Sequence, residues 1–170
     1  MTLAKLIRDD DAQWPPTGGA PALLHVRDEH TSGTNGGQFD SGAWRTRVLN
    51  TVLVNEIGAS LASNQLTLPA GTYWIEAEAT AIWIGAHKAK LFNFTDTADI
   101  LLGSSESNVN FTTRGSDVPS RIIGRFTLAA EKVLEIQHQC TVTAGGGFGQ
   151  PGSPGELVEV YTDVRIWKKS

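Results

Sequence analysis

Short runs of alternating apolar and polar residues make up most of this chain. The longest, Thr72–Ile84, puts Tyr73, Ile75, Ala77, Ala79, Ala81 and Trp83 on one side and Thr72, Trp74, Glu76, Glu78, Thr80 and Ile82 on the other. A period of two marks a strand with one buried face. Further runs of β type cover Ala22–Arg27, Trp44–Asn50, Thr51–Ile57, Gln65–Leu68, Lys88–Phe94, Asp99–Gly103, Arg121–Leu128, Lys132–Thr143 and Leu157–Lys168. Turn-forming residues punctuate them, as at Pro69-Ala70-Gly71 and through the glycine-rich stretches 31–37 and 144–155. Many short strands with turn signals about every ten residues predict an all-β sandwich or barrel. No fixed-period repeat is present, which argues against a propeller or solenoid.

The last run has two distinct faces. Val158, Val160, Thr162, Val164 and Ile166 suit a sandwich core. Glu159, Tyr161, Asp163, Arg165 and Trp167 mix aromatic and charged side chains, a combination common at subunit interfaces. The first 21 residues read differently. Leu3, Leu6 and Ile7 sit among Lys5, Arg8 and three aspartates, followed by Trp14-Pro15-Pro16-Thr17-Gly18-Gly19. Pro-Pro and Gly-Gly break regular structure, and the preceding stretch is too short to be helical alone. Residues 1–21 are therefore expected to form an arm, and residues 22–170 the β domain.

Composition changes this picture little. A chain of 170 residues fits one domain and buries enough surface to fold without disulfides. The net charge of −4, with no Lys/Arg stripe, gives no footprint for nucleic acid. One cysteine, Cys140, excludes an internal disulfide and a C-x-x-C zinc pair. The N-terminus lacks the apolar segment of a signal peptide, and no apolar run is long enough for a membrane helix. The sequons at Asn93 and Asn110 matter only in a secretory pathway.

Four segments together resemble a recurring bacteriophage domain. They are Trp44-Arg45-Thr46-Arg47-Val48-Leu49-Asn50, Leu68-Pro69-Ala70-Gly71-Thr72-Tyr73-Trp74-Ile75, Gly124-Arg125-Phe126-Thr127-Leu128 and Val158–Trp167. That domain is similar to the jelly-roll heads of the complement and tumour necrosis factor families. The resemblance spans residues 22–168. It implies a jelly roll of about ten antiparallel strands that forms compact homotrimers on virions, as head fibres, decoration proteins or tail-fibre tips. No collagen-like or coiled-coil stalk precedes the domain, which favours a short accessory protein over a long fibre.

Candidate chemistry is sparse. Gly147–Gly152 spells G-x-G-x-x-G, but prolines and a strand follow where a dinucleotide site needs a helix. Glu76 and Glu78 sit side by side on one strand, not across a cleft as glycoside hydrolysis requires. His138 and Cys140 share a strand face without a visible third metal ligand, and His25, His30 and His87 are isolated. Asp96, Asp99 and Asp117 fall in predicted loops, with spacing unlike a calcium hand. No G-x-S-x-G elbow is present.

The expected function is thus a non-enzymatic virion structural protein without a cofactor. It would be a homotrimer on the virion surface, made in the bacterial host cytoplasm. Trp44, Tyr161, Arg165 and Trp167 are the expected trimer contacts. Leu3, Leu6, Ile7 and Trp14 are expected to dock on capsid or tail proteins. Residues 31–42 and 144–155 are expected to be outward loops, with Asn35, Phe39, Phe148 and Gln150 as candidate ligand residues. The alternative is a module that binds host surface glycan or another receptor, using Trp74, Trp83 or Phe148 as aromatic platforms.

Overall fold

The structure is a computed structural model and describes residues 21–108, 117–152, 155 and 157–169. The expected docking residues Leu3, Leu6, Ile7 and Trp14 lie outside the described residues. Eleven strands are present among those described: β1 (Ala22–His30), β2 (Arg45–Thr46), β3 (Thr51–Asn55), β4 (Ser60–Ala62), β5 (Gln65–Leu68), β6 (Gly71–Ala81), β7 (Gly85–Asn93), β8 (Ala98–Asn108), β9 (Val118–Leu128), β10 (Lys132–Cys140) and β11 (Glu159–Lys168).

They form two antiparallel sheets. One has the order β3-β1-β11-β6-β9 and the other β4-β5-β10-β7-β8, with β2 pairing β10 beside β5. From β5 onward the chain crosses repeatedly from one sheet to the other, the wiring of a jelly-roll sandwich. The expected all-β jelly roll is what the chain forms.

The alternation explains the core. Leu24 and Val26 of β1, Ile75 and Ala77 of β6, Ile122 and Phe126 of β9, and Val164 and Ile166 of β11 point inward from the first sheet. Leu66, Leu68, Ala89, Leu91, Leu134 and Ile136 meet them from the second. Each large side chain so buried contributes about 1.5–3 kcal/mol relative to exposure. The alanines at 77, 79 and 81 leave room for the facing sheet.

Three departures from strict alternation matter. The run Thr72–Ile84 ends as a strand at Ala81, because Trp83 takes a left-handed φ of 60° and turns the chain. The Trp44–Asn50 run pairs only at Arg45–Thr46, then passes across the sandwich end. The third is a β-bulge in β11. Asp28 faces Thr162 and Glu29 faces Val160, so Tyr161 is an extra residue with no partner opposite. The bulge reverses the phase of the strand. Thr162, Val164 and Ile166 point inward as expected, but before the bulge Glu159 and Tyr161 are the buried residues and Val158 is exposed.

The β8–β9 corner depends on close backbone approach. Ser120 Oγ donates to Ser104 O (2.7 Å) and accepts from Ala89 N (2.9 Å), tying three strands together. A Cβ at Gly103 would lie 2.9 Å from Ala89 O and from Ser120 Oγ, and 3.0 Å from Arg121 O. Two of those atoms are backbone and cannot swing aside. Gly103→Ala should therefore cost about 1–3 kcal/mol in urea unfolding. Gly145→Ala, with no atom within 4 Å of the added carbon, should stay within about 0.5 kcal/mol. Equal stability of the two variants would contradict this packing.

Candidate functional site

The outer face of the five-stranded sheet is the richest surface. Residues opposite one another share a face, so the register builds three rows. The first is Leu23, Trp167, Trp74 and Arg125; the second His25, Arg165, Glu76 and Ile123; the third Arg27, Asp163, Glu78 and Arg121. Asp163 is the hub. Its carboxylate accepts from Arg27 Nε at 2.7 Å, lies 3.1 Å from His25 Nε2 and pairs with Arg165 at 3.1 Å. Arg121 pairs with Glu78 at 3.0 Å, and Trp74 Nε1 donates to Glu76 at 3.2 Å. Between Asp163, Arg165, Glu76, Glu78, Arg121 and Ile123 the face dips into a shallow hollow of about 230 Å³. Ile123 stands beside it 56% exposed.

Of the four expected trimer residues, only Arg165 and Trp167 lie on this face. Trp44 lies on the outer face of the other sheet, where Lys90 Nζ sits 4.1 Å from its ring centroid. Tyr161 is corrected to an interior position. The bulge turns it under the loops, its hydroxyl donates to Thr34 O at 2.6 Å, and its ring packs on His30.

The two glycine-rich loops are also corrected. They are not separate outward loops but one closed structure. Gly36 N donates to Gly149 O, Phe148 N donates to Gly37 O, and Phe39 and Ala144 exchange both backbone hydrogen bonds. Phe39 is fully buried and stacks on Phe148 at 4.3 Å. Gln150 Nε2 donates to Gly146 O, and its backbone N–H donates to the Asp117 carboxylate. Asn35 alone of the four candidate ligand residues is exposed, and its Oδ1 accepts from Gly37 N. Gly149 makes the closure possible: at φ +147° a side chain is strained, and a Cβ would fall onto the Tyr161 ring.

Arg47 ties the loops to the sandwich, a role the sequence reading missed. It is 1% exposed. Its guanidinium donates to Thr162 Oγ1 (2.9 Å), Thr80 O (3.2 Å), Phe148 O (3.2 Å) and Tyr161 O (2.8 Å), and lies 4.2 Å over the Phe148 ring. Burial pulls it down to about 10, opposed by Asp28, so it stays charged at neutral pH. One signal was available. Alternation puts Arg47 on the same face as the apolar Leu49, and a cation in an apolar row needs internal partners.

A histidine pair lies close by. His87 Nδ1 and His138 Nε2 are 2.9 Å apart and share one proton between them as a hydrogen bond. Their other nitrogens, His87 Nε2 and His138 Nδ1, are buried without a hydrogen-bond partner among the described residues. Burial, first, and then the Arg47 charge hold both imidazoles neutral, although Glu106 opposes this at His87. His87 is pushed down to about 4, and His138 is also well below its usual value. Asp28, equally buried, is raised by desolvation despite Arg47 and His30 nearby.

The remaining candidates scatter. Glu76 and Glu78 belong to the outer-face network. Asp96 pairs with Lys132, Asp99 with Lys90, and Asp117 accepts from Gln150 N, each at a different place. Cys140 is buried, donates to Val142 O, and its thiol is pushed up to about 11 by burial. Among the described residues no three His, Cys, Asp or Glu side chains converge as metal ligands.

No family model and no curated protein matches the sequence. Solved structures do match in shape. One is murine APRIL, a jelly-roll protein of the tumour necrosis factor family, with a TM-score of 0.52 at 8% identity over 86% of this chain and 98% of that one. At such low identity the likeness concerns the fold.

The histidine pair sets a pH dependence. Each imidazole binds a proton more readily in the unfolded chain than in the folded one, so stability is complete above about pH 6.5 and falls as pH drops from there. For His87, held near 4, the loss by pH 4 is about 3 kcal/mol. His138 adds in the same direction and the raised Asp28 opposes in part. Urea unfolding at pH 7.5 and 5 should show the fall, and a His87→Asn, His138→Asn double variant should flatten it. An unchanged slope would clear the pair of this role.

Proposed function

We propose that the chain is a non-enzymatic, homotrimeric structural protein of a bacteriophage virion, of head-fibre, decoration or tail-fibre type. In this reading the outer face of the five-stranded sheet packs between copies. Residues 1–21, through Leu3, Leu6, Ile7 and Trp14, attach the trimer to capsid or tail proteins.

The make-up of the outer face carries the reading. A sheet face meant only for water rarely places two tryptophans directly opposite each other on neighbouring strands, as Trp74 and Trp167 are placed here. Both signs of charge interleave in adjacent rows, so rotated copies present complementary neighbours. Ile123 and the shallow hollow beside it form a knob and a depression within one face. Interfaces gain most of their energy from a few large central side chains of this kind. The sequence resemblance to phage jelly rolls supplies the trimeric expectation, and the tumour-necrosis-factor-like shape agrees with it.

Two experiments bear on this. Light scattering at micromolar concentration should give three times the chain mass of 18.2 kDa, and Trp167→Ala with Ile123→Arg should shift the protein to monomer without unfolding it. A monomer in the unmodified protein would overturn the trimer. Removing residues 1–20 should leave the mass per assembly trimeric but abolish binding to the particle, and undiminished incorporation would exclude the arm as the attachment.

A further inference from the structure

The outer face of the six-stranded sheet carries a separate concavity. It is a groove of about 610 Å³ over β10, β7 and β8, within the range of small-ligand sites, about 300–1,000 Å³. Its lining includes Trp44, Lys88, Asp99, Leu102, Ser105 and Gln139. Gln139, Lys88 and Ser105 form one cross-strand row and share the outward face. We propose that this groove is a saccharide-binding site, with Trp44 as its aromatic platform.

The wall is preorganised. Lys90, 5% exposed, lies between two rings, its Nζ 4.1 Å from Trp44 and 4.7 Å from Phe92. The same ammonium is fixed by Asp99 Oδ1 at 2.6 Å. A buried cation clamped this way holds the indole in one orientation, so little rotamer entropy is lost when a ligand stacks on it. The floor stands on paired strands, which position side chains more firmly than loops.

The polar groups define the ligand class. Gln139 offers both a donor and an acceptor, the Ser105 hydroxyl can act as either, Lys88 only donates, and the Asp99 carboxylate only accepts. A pyranose matches this combination, with C–H faces for the indole and hydroxyls around the rim that both donate and accept. Lys88 and Lys90 are balanced by Asp99 and Glu106, which disfavours a polyanionic ligand held chiefly by charge. Leu102, 60% exposed at the opposite wall, adds apolar surface for a second ring. The groove also relocates the aromatic platform. Trp74 faces out from the other sheet, and Trp83 sits in the turn after β6.

The test is a printed array of mono- and oligosaccharides from bacterial surface polysaccharides, probed with the full chain, followed by calorimetric titration of the best hit. Binding should weaken roughly tenfold or more in Trp44→Ala and be blocked by Ser105→Trp, an exposed position whose new side chain fills the groove. Leu53→Ala, at an exposed position on the edge strand β3 of the opposite sheet, should leave it unchanged. Melting curves exclude unfolded variants, and Ser105→Trp remains decisive if Trp44→Ala proves unstable. Silence across the array, binding that survives Ser105→Trp, or equal loss in Leu53→Ala would each overturn the site. The assembly mass measured on the same sample separates this from the trimer reading. A monomer that binds sugar through Trp44 keeps the groove and refutes the trimer, and a silent trimer does the reverse.

Discussion

The buried guanidinium of Arg47 is the interaction on which the end of the sandwich depends. A charge taken out of water is costly unless every donor finds an acceptor. Here the acceptors come from three places: Thr80 after the centre of β6, Tyr161 and Thr162 at the bulge of β11, and Phe148 in the glycine-rich loop. Because one planar group serves all of them, those segments cannot move independently. The bulge and the closed loop pair both supply acceptors to that group, and its charge helps hold the histidine pair neutral.

This polar end contrasts with the rest of the interior. Away from Arg47 the two sheets meet through aliphatic side chains and alanines, and stability there follows buried area. At the Arg47 end the interior holds a small cluster of Phe39, Ala81, Ile84 and Cys140, with Phe39 against the His138 ring, and the buried polar residues Asp28, His87, His138 and Thr162. Its stability follows hydrogen-bond satisfaction and protonation, so the two halves of one sandwich respond to different conditions.

The strands were legible because alternation is written into each of them separately. Thr72–Ile84, Arg121–Leu128 and Lys132–Thr143 contain the observed β6, β9 and β10 to within a few residues. What escaped was set by tertiary context. Tyr161 reads as an outward residue in any local window, and only its pairing with β1 reveals the bulge. Phe39 and Phe148 sit in glycine-rich segments that look open in sequence, yet they stack because the two loops close on each other. Trp44 and Trp167 look alike as exposed aromatics, but topology sends them to opposite sheets.

That separation has a functional consequence. The two outer faces of the sandwich point in opposite directions, so contacts made by one do not obstruct the other. In the proposed trimer the five-stranded face, with its interleaved charges and its two cross-strand tryptophans, meets copies of itself. The groove beside Trp44 is the proposed site for something small, hydroxylated and close to neutral. A jelly roll that packs against its copies through one sheet leaves the other sheet directed outward, where a fixed aromatic wall can meet a ligand. Arg47 links the two, since it lies one residue beyond β2, which follows Trp44, and bonds directly to β11, whose outer side carries Arg165 and Trp167.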